Sequence, residues 1–164
     1  MPQKDHSSFR LKVALRQEVM ARVCQRDACI LETHAGLGRL WQSCYQDHSG
    51  YAIDSDANRV DRLALQRPTW GVYQGDCVDT LRDGWLADVP ITMLDCDPYG
   101  QPWLCLEAFF QSARAFADKM GLVVTDGLRQ KLKMTGGWNV YGFEPWIDQI
   151  GNHLYRDYLL ICRE

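Results

Sequence analysis

The sequence has 164 residues, of which 46% are hydrophobic and 24% are charged, and its formal net charge is -3. These values are typical of one globular domain with a buried core, and they do not indicate a strongly basic nucleic-acid binder. The basic side chains are unevenly placed, because residues 1–26 contain six Lys or Arg and two acidic residues. This segment is therefore either a surface for an anionic partner or an ordinary solvated helix face.

The seven cysteines are an odd number, and no CxxC or His-x-Cys spacing of a metal site occurs among them. Several lie inside apolar runs, where cysteine behaves as a small hydrophobic residue. We therefore expect a reduced, cytoplasmic setting and no metal site. The sequence has no signal peptide and no apolar run of about 18 residues, so we expect neither secretion nor membrane insertion.

The N-terminal region predicts a helix. Apolar residues recur at helical spacing over residues 9–24, with polar positions between them. We expect this helical segment, residues 1–27, to pack on a single domain that spans residues 1–164.

A strand and a glycine loop follow the first helix. Residues 29–32 form a short apolar run that ends in an acid, as in a buried strand. Gly36 and Gly38 come next, and glycines allow the backbone to turn sharply and to approach a ligand closely. A helix is predicted over residues 38–47, directly after this loop.

The rest of the chain alternates short apolar strands with helices. The further strands are predicted at residues 51–53, 72–73, 91–94 and 122–124. The helices between them are predicted at residues 57–66, 78–86 and 103–120. A basic loop over 128–137, a helix over 145–154 and a last strand over 158–162 complete the chain. This alternation predicts an α/β fold with a mostly parallel sheet and helices on both faces.

Acidic residues follow all five of the first predicted strands. They are Glu32, Asp54, Asp76, Asp95 with Asp97, and Asp126. Because the carboxyl ends of parallel strands meet at one edge of the sheet, these side chains should converge on a ligand site. Carboxylates at that edge can accept hydrogen bonds from hydroxyl or amine groups.

The order of these motifs over about residues 28–130 resembles the class I S-adenosylmethionine-dependent methyltransferases. Residues 32–38 resemble the acid-x-Gly-x-Gly-x-Gly loop of that family, with His34 in the place of the first glycine. The resemblance implies a Rossmann-like, doubly wound fold and S-adenosylmethionine as cofactor. The C-terminal end is expected to be abbreviated, since one clear strand follows the fifth where the family has an antiparallel pair.

The resemblance also assigns a cofactor site. It implies that the glycine loop binds the methionine end, that Asp54 holds the ribose hydroxyls, and that Gly75-Asp76-Cys77 contacts the adenine. The predicted cofactor residues are Glu32, His34, Gly36, Gly38, Asp54, Asp76, Cys77 and Asp95.

The fourth motif indicates the reaction. Asp97-Pro98-Tyr99-Gly100 resembles the [Asp/Asn]-Pro-Pro-[Tyr/Phe] signature of amino-group methyltransferases. With the following Gln-Pro it is closer to the Asp-Pro-Phe-Gly-x-Pro of the tRNA guanine-N2 dimethyltransferases. Asp97, Pro98 and Tyr99 are therefore the predicted catalytic residues. A carboxylate and a backbone carbonyl can accept the two N–H groups of an exocyclic amine, and Tyr99 can stack on its base.

The sequence leaves several functions open. The first is N-methylation of a nucleobase amine in RNA or DNA, and a related one is methylation of a small-molecule or protein amine. The second is a non-catalytic subunit or adaptor that binds S-adenosylmethionine, because the RNA-binding domains of the longer tRNA enzymes are absent. The third is a nicotinamide-dependent oxidoreductase, which the missing third glycine of the dinucleotide motif disfavours. The oligomeric state is left open as well.

Overall fold

The structure is a computed structural model that describes residues 7–23, 28–128 and 158. Helices and strands alternate along the described part of the chain. The helices are α1 (Ser7–Val23), α2 (Arg39–Cys44), α3 (Ala57–Gln66), α4 (Cys77–Arg82) and α5 (Trp103–Gln111). The strands are β1 (Cys29–Thr33), β2 (Ser49–Asp54), β3 (Gly71–Gln74), β4 (Ile91–Cys96) and β5 (Phe116–Val124).

The five strands form one sheet in the order β3-β2-β1-β4-β5, and every pair of neighbours is parallel. The chain moves outward from β1 to β3 and then returns to the other side of β1. A crevice opens outside the carboxyl ends of the strands where the direction reverses, and ligands bind there in sheets of this kind. The predicted Rossmann-like, doubly wound fold is confirmed.

Helices cover both faces of the sheet. Alternate strand residues point to opposite sides, and apolar residues occur on both, so each face packs against helices. One hydrophobic cluster combines strand residues with α1, α3 and the loop after α3: Ile30, Ala52 and Met93 with Met20, Leu63 and Trp70. The other combines the neighbouring strand residues with α4 and α5: Leu31, Ile53 and Leu94 with Leu81 and Phe109.

The N-terminal helix packs on one face of the sheet, over the edge strand β5. A Cβ placed on Gly121 of β5 would lie 2.6 Å from Val23 and 2.7 Å from Val19. Glycine at this position therefore lets α1 approach the strand backbone closely. Val19 and Val23 thus bring the described part of the N-terminal helix, residues 7–23, against β5.

The predicted helix over residues 103–120 is wrong in its second half. Helix α5 ends at Gln111, and Ser112 adopts extended backbone with ψ 142°. Strand β5 begins at Phe116, which pairs with Ile91 of β4 and places its ring 5.8 Å from that of Phe109. The apolar residues that suggested one helical face are thus divided between a helix and a strand that pack on each other.

Most of the C-terminal predictions lie outside the described residues. These include the basic residues Arg129, Lys131 and Lys133, and the predicted helix over 145–154. Tyr158, at the beginning of the predicted last strand, is helical and buried, so the strand prediction is wrong at this residue. Its hydroxyl donates a hydrogen bond to the carboxylate of Asp126. Within the described ranges, no helix combines the length and apolarity needed to span a membrane.

Candidate active site

The loop after β1 is built from left-handed backbone. His34, Gly36 and Gly38 have φ values of 59°, 59° and 74°. Such values are common for glycine but uncommon for histidine, so the loop holds His34 in a costly conformation. The N–H of Ala35 donates to the carbonyl of Ile53 over 3.1 Å, which ties the loop to β2.

The two loop glycines have different surroundings. A Cβ on Gly36 would meet only the His34 carbonyl, at 3.9 Å, and Gly36 lines a cavity. A Cβ on Gly38 would lie 3.0 Å from the Nη2 atom of Arg67 and the same distance from Gln66. Gly36 therefore leaves room for a ligand, whereas Gly38 leaves room for the end of α3.

Two adjoining cavities open at the carboxyl edge of the sheet, with volumes of about 430 and 290 Å³. Volumes of roughly 300–1,000 Å³ are typical of ligand sites. The first is lined by Glu32, His34, Gly36, Asp97, Pro98 and Tyr99 among others. The second is lined by His34, Asp54, Asp76, Cys77, Pro98 and Tyr99 among others. The structure thus brings together every predicted site residue except Gly38 and Asp95.

Asp54 links the glycine loop to the turn after β2. Its side chain is 4% exposed, and its Oδ2 accepts the N–H of Gly36 over 2.8 Å. Its Oδ1 accepts the N–H of Asp56 over 3.0 Å and lies 3.6 Å from Nη1 of Arg59. Each oxygen has a second lone pair, so the carboxylate can still accept a bond from a ligand.

Asp76 is the N-cap of α4. Its Oδ1 accepts the N–H groups of Val78 and Asp79 over 2.8 and 3.2 Å. Both capping bonds use the same oxygen, so the Oδ2 atom of this cavity-lining carboxylate remains available to a ligand.

Glu32 pairs with an arginine that the sequence did not indicate. Arg67, at the C-cap of α3, places Nη1 2.5 Å from Oε2 of Glu32, and both side chains are almost fully buried. The guanidinium lies between Trp41 and Trp70, 5.0 and 5.1 Å from their ring centroids. Burial raises the pKa of Glu32 to about 7, although the charge of Arg67 acts in the opposite direction.

Asp95 does not belong to the cavity wall, contrary to the prediction that it binds cofactor. Arg16 of α1 holds both of its oxygens, with Nε 2.6 Å from Oδ2 and Nη2 2.5 Å from Oδ1. The hydroxyl of Tyr45 donates to Oδ2 over 2.7 Å. Burial raises the pKa of Asp95, and the bonds from Arg16 oppose that rise. Asp95 fixes α1 to the sheet.

Two of the basic residues of α1, Lys12 and Arg16, pair with Asp97 and Asp95, so these two do not belong to an exposed basic face. Lys12 places Nζ 2.6 Å from Oδ1 and 2.9 Å from Oδ2 of Asp97, and Arg16 is fully buried. These two residues continue the helical row of Val19 and Val23, which packs on β5. That spacing was a signal in the sequence that both basic residues face the sheet.

The turn after β4 separates the two cavities. Pro98 is buried and Tyr99 is 96% exposed, and both line both cavities. The loop after β5 supports the turn, because Gly127 donates its N–H to the carbonyl of Gly100 over 3.1 Å. A Cβ on Gly127 would lie 2.8 Å from the Tyr99 carbonyl oxygen, so the two loops touch.

Three solved structures with a similar fold are described as methyltransferases. A protein from Escherichia coli, yhhF, proposed to be a methyltransferase, has a TM-score of 0.56 at 17% identity over 72% of this chain and 69% of that one. A protein from Clostridium thermocellum, proposed to be an rRNA methylase, has a TM-score of 0.54 at 9% identity over 74% and 75%. The plantazolicin methyltransferase BamL, solved with a triazolic desmethylPZN analogue and S-adenosylhomocysteine, has a TM-score of 0.59 at 13% identity.

The match to BamL covers 79% of this chain and 50% of BamL. No family model matches the sequence, and no curated protein matches it. At these identities the likeness establishes the fold, which this chain shares with the three proteins.

Proposed function

We propose that this protein is an S-adenosylmethionine-dependent methyltransferase that methylates an exocyclic amine of a nucleobase in RNA or DNA. The observation that carries the proposal is the position of Asp97-Pro98-Tyr99. This turn lies at the switch point of the sheet. Pro98 and Tyr99 line both cavities, and Asp97 lines the one beside the glycine loop. A turn at this place can hold an acceptor next to a cofactor.

The donor set of the cavities fits the cofactor. Gly36 leaves an open wall where a side chain would project, and Glu32 lies beside it for an ammonium group. Asp54 suits a ribose diol, since a carboxylate can accept from two hydroxyls. Asp76 offers its Oδ2 to an adenine amine. When bound, S-adenosylmethionine supplies an electrophilic methyl group on sulfur.

In this proposal, Asp97 orients the acceptor. The ammonium of Lys12 donates to both of its oxygens, which shows that the carboxylate accepts N–H donors from the side of the first cavity. An exocyclic amine in the position of the Lys12 ammonium would donate its N–H groups to the Asp97 carboxylate. The nitrogen lone pair would then be directed away from the carboxylate. The amine proton leaves after transfer, and alignment of the nitrogen dominates the rate.

Two observations favour a nucleobase. Tyr99 is 96% exposed at the junction of the cavities, where its ring offers a face for stacking of an extruded base. The Clostridium thermocellum protein with the same fold is proposed to act on rRNA. Lys12 and Arg16 of α1 do not support a nucleic-acid acceptor, because both pair with acids of this domain.

A small-molecule amine is the second candidate. Ser8, Phe9 and Lys12 of α1 form one wall of the first cavity, which narrows the approach for a large acceptor. BamL, with a TM-score of 0.59, is described as acting on plantazolicin.

The proposal is tested with labelled S-adenosylmethionine and three acceptor pools: total RNA, DNA, and free nucleosides with small amines. We expect label in a nucleic acid, and loss of labelling in Asp97→Ala. The matched control is Asp61→Ala, which removes an exposed carboxylate on α3. Label in small amines alone would select the second candidate. Binding of S-adenosylhomocysteine with no transfer to any pool would leave a non-catalytic subunit, and binding of NAD instead would contradict the cofactor assignment.

A further inference from the structure

Three side chains of types that can ligate a metal meet at the wall of the second cavity. They are His34 in the glycine loop, Cys77 at the beginning of α4 and Cys105 in α5. One ring nitrogen of His34 and the two Sγ atoms all lie within 4.8 Å of one another. Nε2 of His34 is 3.2 Å from Sγ of Cys77. Their separation along the chain explains why no metal-ligand spacing is visible in the sequence.

The distances suit a tetrahedral zinc ion. Zinc binds sulfur at about 2.3 Å and imidazole nitrogen at about 2.0 Å, so tetrahedral ligand atoms lie roughly 3.5–3.8 Å apart. The observed 3.2 Å contact and the 4.8 Å limit bracket that spacing. A donor set of thiolate and imidazole also favours zinc over hard cations such as Mg²⁺ or Ca²⁺.

Thr33 supports His34 as a metal ligand. Its Oγ1 lies 3.2 Å from Nδ1 of His34 and donates its own proton to the Asp95 carbonyl over 3.3 Å. Oγ1 can therefore accept the Nδ1–H of His34, which leaves Nε2 unprotonated and facing the sulfur atoms. Metal-binding histidines are held in this way by a hydrogen bond from the other ring nitrogen. Thr33 Oγ1 also lies 3.6 Å from Sγ of Cys105.

The cluster is enclosed but reachable. Cys77 and Cys105 are 5% and 2% exposed, whereas His34 is half-buried and lines both cavities. An ion can therefore enter from the cleft. Cys96 of β4 is fully buried beside His34 and Cys105.

We propose that His34, Cys77 and Cys105 form a zinc site that joins the glycine loop to α4 and α5. Binding releases the two thiol protons to solvent, so the charge of Zn²⁺ is balanced by two thiolates and the imidazole stays neutral. The site goes beyond methyl transfer and does not depend on it. It also gives His34 and Cys77 a role other than the cofactor contact that the sequence predicts.

The test is titration of the reduced, full-length chain with Co²⁺ and then Zn²⁺. We expect one ion per chain, with the visible and thiolate charge-transfer bands of tetrahedral cobalt, and displacement of cobalt by zinc. Cys77→Ser and Cys105→Ser should each weaken Zn²⁺ binding by more than the roughly 10–100-fold that loss of an outer-shell partner costs. Thr33→Val should fall inside that outer-shell range. Cys29→Ser and Cys44→Ser, which change half-buried cysteines outside the cluster, should bind as the parent does.

A second measurement needs no variant. Bound Zn²⁺ should protect Cys77 and Cys105 from iodoacetamide, as mapped by peptide mass spectrometry, so the test holds even if a cysteine variant fails to fold. Absence of zinc binding by the reduced parent at micromolar concentration would overturn the proposal. Protection of other cysteines, or a Cys77–Cys105 disulfide in place of a bound ion, would overturn it as well. None of these measurements depends on methyltransferase activity. The zinc proposal can therefore be tested even if the proposed function is wrong.

Discussion

Lys12 and Asp97 join the N-terminal helix to the proposed catalytic turn, with Nζ 2.6 Å from Oδ1 and 2.9 Å from Oδ2. The pair is partly open to solvent, since the side chains are 31% and 14% exposed. An ion pair of this exposure contributes about 1 kcal/mol or less. An amine acceptor can therefore displace Lys12 from Asp97 at small cost.

We predict that Lys12→Met lowers the KM for the amine acceptor by about 2- to 5-fold, which corresponds to the roughly 0.5–1 kcal/mol of a partly exposed ion pair. The reason is that Lys12 no longer competes for the Asp97 oxygens. Steady-state kinetics measures the change, with Lys119→Met as the control because Lys119 is an exposed lysine on β5. A raised KM would mean that Lys12 helps to bind the acceptor.

Arg16→Met should destabilise the fold by about 3–5 kcal/mol, because it leaves Asp95 buried without its cationic partner. The variant is compared with the parent by urea unfolding followed by circular dichroism. Arg22→Met is the matched control, since Arg22 pairs with Glu18 on the exposed surface of the same helix and its loss should cost about 1 kcal/mol or less. Equal losses in the two variants would contradict the assigned role of Arg16.

The parallel sheet could be predicted from the sequence, because most of its strands coincide with short apolar runs that are visible locally. Runs such as residues 29–32 and 91–94 are apolar and end in acids, and each is bounded by turn residues. The helix prediction was wrong for residues 116–120, because these residues form a strand only by pairing with β4. Phe116 and Ala117 fit a helical face equally well, and pairing with Ile91 decides the outcome.

The position of the site was predictable, but the partners of its acids were not. Strand-end acids must converge in a parallel sheet, and Glu32, Asp54 and Asp97 do so. A sequence does not show which distant arginine will be buried against which acid. Arg67 reaches Glu32 and Arg16 reaches Asp95 only because α3 and α1 pack where they do.

Gly36→Ala separates the cost of strained backbone from the loss of ligand space. Alanine at φ 59° should cost about 1–2 kcal/mol of stability. Gly84→Ala is the control, because Gly84 has φ 80° and an added Cβ would meet no atom within 4 Å. The two variants should lose similar stability in urea unfolding, while Gly36→Ala alone should weaken binding of S-adenosylhomocysteine in calorimetry. Parent-like affinity in Gly36→Ala would place the ligand elsewhere.

Asp54→Ala should weaken binding of S-adenosylhomocysteine by about 1–3 kcal/mol, through loss of charge-assisted hydrogen bonds. Asp54 also accepts the Gly36 N–H, so the variant removes one support of the loop. Calorimetry compares it with Asp61→Ala, which changes an exposed carboxylate on α3. Unchanged affinity in Asp54→Ala would remove Asp54 from the cofactor site.

The sharpest prediction concerns Asp97, which should orient the acceptor without acting as a strong base. The lone pair of a base amine is delocalised, and its proton can leave after the methyl group is transferred. Alignment of nitrogen, methyl carbon and sulfur then matters more than proton affinity. Asp97→Asn keeps one acceptor oxygen and should retain part of the activity. Asp97→Ala removes the acceptor and should lower single-turnover transfer by roughly 10²-fold or more.

The cofactor affinity of the Asp97 variants distinguishes loss of acceptor orientation from structural disruption of the site. Asp97→Ala should bind S-adenosylhomocysteine nearly as the parent does, because the proposal assigns cofactor binding to the glycine loop, Asp54 and Asp76, and assigns Asp97 to the acceptor. Tyr99→Phe should be mild and Tyr99→Ala severe, because stacking needs the ring and not the hydroxyl. Full transfer by Asp97→Ala would exclude Asp97 from the mechanism. Equal loss in Asp97→Asn and Asp97→Ala, with cofactor still bound, would instead identify Asp97 as a base, since the amide keeps the acceptor but cannot take up the proton.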